Sequence, residues 1–95
     1  MILTLADRIR YLRDKANMTQ TDLAKKLGIS RSAVNAWEMS LSSPSINNII
    51  EMTQIFHVSS DYLLSLSDEL TVNISHLSNE QKELILRLIA CFETK

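Results

Sequence analysis

The 95 residues, 45% apolar and 22% charged, are enough for one compact domain with a modest core and exclude general disorder. One glycine and one proline leave few breakers for hairpins, so helices joined by short polar connections are expected and the fold class is all-α. A net charge of −1 is low for a nucleic-acid binder, yet it is uneven: residues 1–58 carry seven Lys/Arg against five Asp/Glu, residues 59–95 three against six.

Six segments pair a helix start signal with apolar residues at helical spacing. Thr4 with Asp7 opens the first, whose expected buried stripe is Leu5, Ile9, Leu12 and Ala16, with Arg8, Arg10 and Lys15 in water. Thr19 with Asp22 caps the second, which runs through Leu23, Ala24 and Leu27 and stops at Gly28. Ser30 caps the third. Its inward positions are Val34, Trp37 and Glu38, and its opposite face carries Arg31, Ser32, Asn35 and Ala36. Pro44 and Ser45 introduce the fourth, with Ile46, Ile49, Ile50, Met52 and Ile55 or Phe56 available for burial and an end near His57. Ser59 caps a fifth through Tyr62, Leu63 and Leu64. Residues 67–77 show no helical period, and the alternation of Leu70, Val72 and Ile74 is a weak strand signal, so this stretch reads as a connector. Ser78 with Gln81 forms a capping box ahead of a sixth helix with a wide stripe of Leu84, Ile85, Leu88, Ile89 and Phe92.

The chemistry these residues exclude is broad. Cys91 is alone and the two histidines are scattered, which leaves no internal disulfide, no metal-ligand spacing and no expected cofactor. Met1, Ile2 and Leu3 give way at once to Asp7, Arg8 and Arg10. Neither a signal peptide nor a membrane span is expected, and the cytoplasm is the expected location. No paired carboxylates with a nucleophile and no glycine-rich phosphate loop point to an enzyme.

Residues 20–39 carry the function. Ala24 is small where two steeply crossed helices must touch, Gly28 makes the turn, and Val34 buries the second helix of the pair against the first. With Leu23, Leu27, Ile29 and Trp37 around them, these positions resemble the helix-turn-helix of the lambda-repressor and Cro family, also called the Xre family. The resemblance runs from about Leu5 to Leu66, through TQTDLAKKLGISRSAVNAWE and SPSINNIIEMTQIFHVSSDYLL, and implies a five-helix DNA-binding domain over residues 1–66. Residues 67–77 then read as the connector, and residues 78–95 as an additional C-terminal helix expected to be a dimerisation element, the alternative being that it folds back on its own domain.

The resemblance also implies roles. The third helix would enter the major groove of double-stranded DNA, with Arg31, Ser32 and Asn35 at base edges and Ala36 near a thymine methyl. Gln20 matches a position that grips a phosphate and braces the recognition helix, Thr19 caps and touches phosphate, and Ser30, Ser42 and Asn47 are further phosphate candidates, with Lys25 and Lys26 weaker ones. Arg13 and Glu38 match a partly buried salt bridge between the first and third helices, and Trp37 reads as core before it reads as a stacking platform. His57 falls where such domains end the fourth helix in a left-handed conformation. The sequence departs from the family after Trp37–Glu38: a basic, glycine-containing loop is replaced by Met39, Ser40, Leu41, Ser42 and Ser43. Weaker electrostatic grip makes a homodimer through the sixth helix more necessary, and the expected function is a dimeric repressor on a palindromic operator. The alternative reading is a protein-interaction module, such as an antitoxin or anti-repressor, whose tail helix binds a partner protein.

Overall fold

In the computed structural model, which describes residues 4–66 and 73–93, six helices follow one another: α1 (Leu5–Lys15), α2 (Gln20–Leu27), α3 (Arg31–Glu38), α4 (Ile46–Phe56), α5 (Ser60–Leu63) and α6 (Asn79–Glu93). Met1, Ile2, Leu3, Leu70 and Val72, on which some sequence expectations fall, lie outside the described residues.

Every helix starts where a short side chain satisfies an otherwise orphaned amide. Thr4 and Thr19 form reciprocal capping boxes with Asp7 and Asp22, and Ser78 does so with Gln81. Ser30, Ser45 and Ser59 accept from the amides of Ala33, Asn48 and Tyr62 at 3.1–3.2 Å. The stops are as regular as the starts. Asn17, Gly28, Ser40, His57 and Ser65 all take positive φ, between 57° and 68°, after α1 to α5 respectively. In each case the next amide reaches back five residues: Met18 to Arg13, Ile29 to Ala24, Leu41 to Ala36, Val58 to Thr53 and Leu66 to Asp61, at 2.8–3.2 Å. A left-handed residue followed by this bond closes the last turn and satisfies one terminal carbonyl. Only Gly28 does so without steric cost. Four non-glycine residues therefore store strain that the packing of α1 to α5 has to exceed.

That packing is one apolar core. Ile9, Leu23, Val34, Met52 and Leu63 are completely enclosed, with Leu12, Ala24, Leu27, Trp37, Ile49, Val58 and Tyr62 around them. Each fully buried aliphatic side chain contributes roughly 1.5–3 kcal/mol. α2 packs mainly on α3, α1 spans α3 and α5, and α4 closes the core against α2 and α5.

Several sequence expectations about burial need correction. Arg8, expected in water, is 3% exposed: its Nη1 donates to the Tyr62 carbonyl at 2.6 Å and its guanidinium lies 4.2 Å from the centre of the Tyr62 ring. Residue 8 lies one turn before Leu12 on the same flank, so position overrode residue type. Ala16 is exposed because it is the C-cap of α1 and lies past the stripe. Ile46 and Ile50, expected to be available for burial, are 79% and 49% exposed, and Leu64 is 39% exposed. With Leu5, Pro44 and Ile49 they line an open apolar groove.

Residues 73–77 are non-helical and tied to the end of α4. The Asn73 amide donates to the His57 carbonyl at 2.7 Å, and the His57 and His76 rings stack with centroids 3.9 Å apart. α6 then packs closely against none of the other helices. Leu84, Leu86, Leu88, Ile89 and Phe92 are 47–78% exposed along it, and Ile85 is half-buried. The radius of gyration, 14.9 Å, exceeds the ~12 Å expected of a compact chain this long, in keeping with a projecting helix.

Candidate nucleic-acid interface

The outward face of α3 is set by what its inward face buries. Val34 and Trp37, 0% and 5% exposed, pin the helix to the core. At helical spacing this turns Arg31, Ser32 and Asn35 into solvent, while Ala36 is half-buried. The structure thus brings the expected base readers onto one exposed surface, with Ala36 at its edge.

Behind that surface lies a polar network. Arg13 donates to both oxygens of Glu38, from Nε to Oε2 at 2.7 Å and from Nη2 to Oε1 at 3.0 Å, and its Nη1 donates to the Met18 carbonyl at 2.8 Å. The side chains are 11% and 4% exposed. The hydrogen bond to Glu38, more than the surrounding charges, raises the Arg13 pKa further above its already high ordinary value. Two parallel charge-assisted bonds tie α1 to the last turn of α3 and fix the rotation of the exposed face. Gln20, the first residue of α2, extends the network: its Nε2 donates to Glu38 Oε1 and to Asn35 Oδ1, both at 3.2 Å. Arg10, Arg13, Gln20, Asn35, Glu38 and Met39 line a recess of about 160 Å³ here. Arg10 is exposed at its rim, and the sequence reading left it aside. Its spacing of three residues from Arg13 on one helix was the available signal.

The phosphate candidates fall into two groups. Thr19 is the N-cap of α2, where its Oγ1 accepts from the Asp22 amide at 3.0 Å and its N–H donates to Asp22 Oδ2 at 2.8 Å. The Thr19 backbone bond, then its side-chain bond, holds the Asp22 carboxyl below its ordinary pKa. Gln20 has both amide protons directed at protein acceptors. Ser30, Ser42 and Asn47, in contrast, are exposed at the start of α3, in the loop after it and in the first turn of α4. Lys25 and Lys26 are exposed in the last turn of α2. Met39 and Leu41, 62% and 78% exposed, begin the loop after α3. Among the described residues there is no cluster of metal-ligating side chains, and no helix is long and apolar enough to cross a membrane.

This geometry agrees with what the chain is similar to. The helix-turn-helix family profile matches residues 9–63, more than half of the chain. The chain belongs to the helix-turn-helix family. Its relatives include the HTH-type transcriptional regulator DicA of Escherichia coli K12, 37% identical over 62 residues that cover 65% of this chain and 46% of DicA. The repressor protein C2 of Salmonella phage P22 is 31% identical over 77 residues, covering 81% of this chain and 35% of C2. The chain thus spans about half the length, or less, of these curated relatives. Among solved structures, the P22 c2 repressor in complex with a synthetic operator superposes with a TM-score of 0.62 at 34% identity, covering 65% of this chain and 94% of that one. The complex of SinR with SinI superposes with a TM-score of 0.62 at 25% identity over 90% of this chain and 79% of that chain. In this helix-turn-helix protein α2 and α3 are the paired helices, and Gly28 is the turn.

Proposed function

We propose that this chain is a sequence-specific DNA-binding transcriptional regulator, a dimeric repressor acting in the cytoplasm on a palindromic operator. The observation that carries this reading is the exposed face of α3, with Arg31, Ser32 and Asn35 held in fixed rotation by the Arg13–Glu38 pair. A guanidinium that binds guanine O6 and N7 together and an amide suited to a purine edge are the side chains such a face needs. The P22 c2 repressor, bound to an operator in its solved structure, supports the same docking. α3 would lie in the major groove and α2 across the backbone, with Ser30, Ser42, Asn47 and Arg10 at phosphates. Thr19 has its contacts within its own cap, and the weaker candidates Lys25 and Lys26 add charge near the backbone.

Dimerisation is assigned to α6. A helix with a wide exposed apolar stripe calls for something to cover it, and Leu84, Leu88, Ile89 and Phe92, with Ile85, exceed what solubility permits a free tail. A second copy brings two α3 helices to half-sites one helical turn apart and doubles contacts that are weak singly. The same exposed stripe favours a second reading, a partner protein on α6, which the likeness to SinR in its complex with SinI also supports. Selection of bound sequences from a random duplex pool tests the first reading. An enriched palindrome is expected; no enrichment at low salt, with a partner co-purifying, would transfer the assignment to the second.

A further inference from the structure

Asn35 faces the proposed groove with an amide whose two ends differ in kind: Oδ1 accepts and Nδ2 donates. Neighbours within the protein decide which end is presented. Glu38, paired through both oxygens with Arg13, offers acceptors only. The atom 3.2 Å from its Oε1 must be a donor, which turns Gln20 with Nε2 toward Glu38. The second proton of that nitrogen is directed at Asn35, also at 3.2 Å, so the atom receiving it must be Oδ1. Asn35 Nδ2 then keeps both protons on an exposed face, and no hydrogen bond within the described residues engages them.

Building on the DNA-binding reading above, we propose that Gln20 is a positioning residue for Asn35, with Glu38 setting the polarity. A carboxylate buried between α1 and α3 dictates that Asn35 offers N–H donors to the groove. It therefore favours, on the strand it faces, a base with a major-groove acceptor (purine N7, guanine O6 or thymine O4) over a cytosine, whose exposed N4 group only donates. The arrangement engages both Gln20 side-chain protons within the protein and leaves its backbone N–H, at the first position of α2, as the donor available to a phosphate oxygen. Two amides and one ion pair thus form a relay of fixed direction, from Arg13 through Glu38 and Gln20 to Asn35.

The test compares the full chain with Gln20→Met, Asn35→Ala and the double variant. Met is close to Gln in size and favours helix, and Trp37 fluorescence during urea unfolding checks that each variant folds. Binding is measured on the selected site, on every single-base change of it, and on an unrelated duplex. Gln20→Met should reduce discrimination at one base position by about fivefold or more, leave the unrelated duplex unchanged, and add nothing in the Asn35→Ala background. Equal loss on every duplex would make Gln20 a phosphate contact and overturn the proposal. So would a loss that persists without Asn35. The side-chain amide resonance of Asn35, followed without DNA, should shift in Gln20→Met, and an unmoved resonance refutes the network. Wild-type protein that binds no duplex would overturn the DNA reading and the base preference with it, while the amide resonance separately decides whether the relay forms.

Discussion

Replacing Arg13 by Met removes the guanidinium but keeps the length of the side chain. Glu38 is then left 4% exposed with its two bonds from Arg13 gone and only Gln20 Nε2, at 3.2 Å, still donating to it. The Met18 carbonyl at the end of α1 loses its donor as well. Breaking one side of a buried pair costs about 3–5 kcal/mol, because the remaining charge keeps its desolvation penalty without its partner. A domain of some sixty residues has about 3–9 kcal/mol in total, so the variant should sit near its unfolding midpoint at room temperature. Urea denaturation followed by Trp37, 5% exposed and the single tryptophan, reads this directly. Arg13→Met with Glu38→Leu should recover stability to within about 1 kcal/mol of the wild type, since an apolar replacement of a buried pair is often neutral. A loss below about 1 kcal/mol in the single variant would mean the pair behaves as a solvent-exposed one. A double variant no more stable than Arg13→Met would equally refute the reasoning. The recovered double variant should be folded yet lose base discrimination at the Asn35 position, since a leucine side chain in place of the Glu38 carboxylate offers Gln20 no acceptor.

Other outcomes follow from single features. Arg31→Ala should weaken operator binding by about 1–3 kcal/mol and relax specificity at one base position, measured by competition among single-base variants; equal loss on all duplexes would reassign Arg31 to phosphate. Ser40→Gly and Ser65→Gly should each stabilise by about 0.5–1 kcal/mol in urea unfolding, because both residues hold positive φ at helix ends; destabilisation would show that their side chains matter more than their backbone strain. Asp22, with its pKa lowered chiefly by the Thr19 amide, keeps the α2 cap complete above the ordinary aspartate value of about 4 and loses it as pH falls through the lowered folded value. The Thr19 amide resonance should be constant from neutral pH down to about 4 and move only below it; movement near pH 6 would contradict the assignment. Truncation after Leu66 should leave a folded domain, less stable only by the loss of the Asn73–His57 bond and the His57–His76 stack, and abolish self-association in sedimentation, as α6 packs closely on no other helix. A truncated chain that remains dimeric would relocate the interface, with the open groove at Ile46 and Ile50 the first place to look.

Helix starts were legible because a cap is local: Thr4–Asp7, Thr19–Asp22 and Ser78–Gln81 need nothing beyond three residues of chain to form. The stops were less so. Gly28 announces its left-handed turn, but Asn17, Ser40 and Ser65 hold the same conformation through the packing of the helices they end, and their residue types do not demand it. Of the candidate interface, the α3 face followed from Val34 and Trp37 at helical spacing. Arg8 did not follow from its type, because its burial depends on Tyr62, fifty-four positions away, supplying both a carbonyl and a ring. Ile46 and Ile50 failed in the opposite direction, since an apolar stripe states what is available for burial without stating that a partner covers it.

The sequence by itself therefore determined the order of the helices, the glycine turn between α2 and α3, and the residues that α3 turns outward, all consequences of local bonding and the helical period. Only the tertiary structure decided how those outward residues are held. The path from Arg13 to Asn35 joins three helices whose contacts lie fifteen to twenty-five positions apart. Whether an amide presents its oxygen or its nitrogen depends on which partner folding brings within hydrogen-bonding reach, and no propensity or periodicity carries that information.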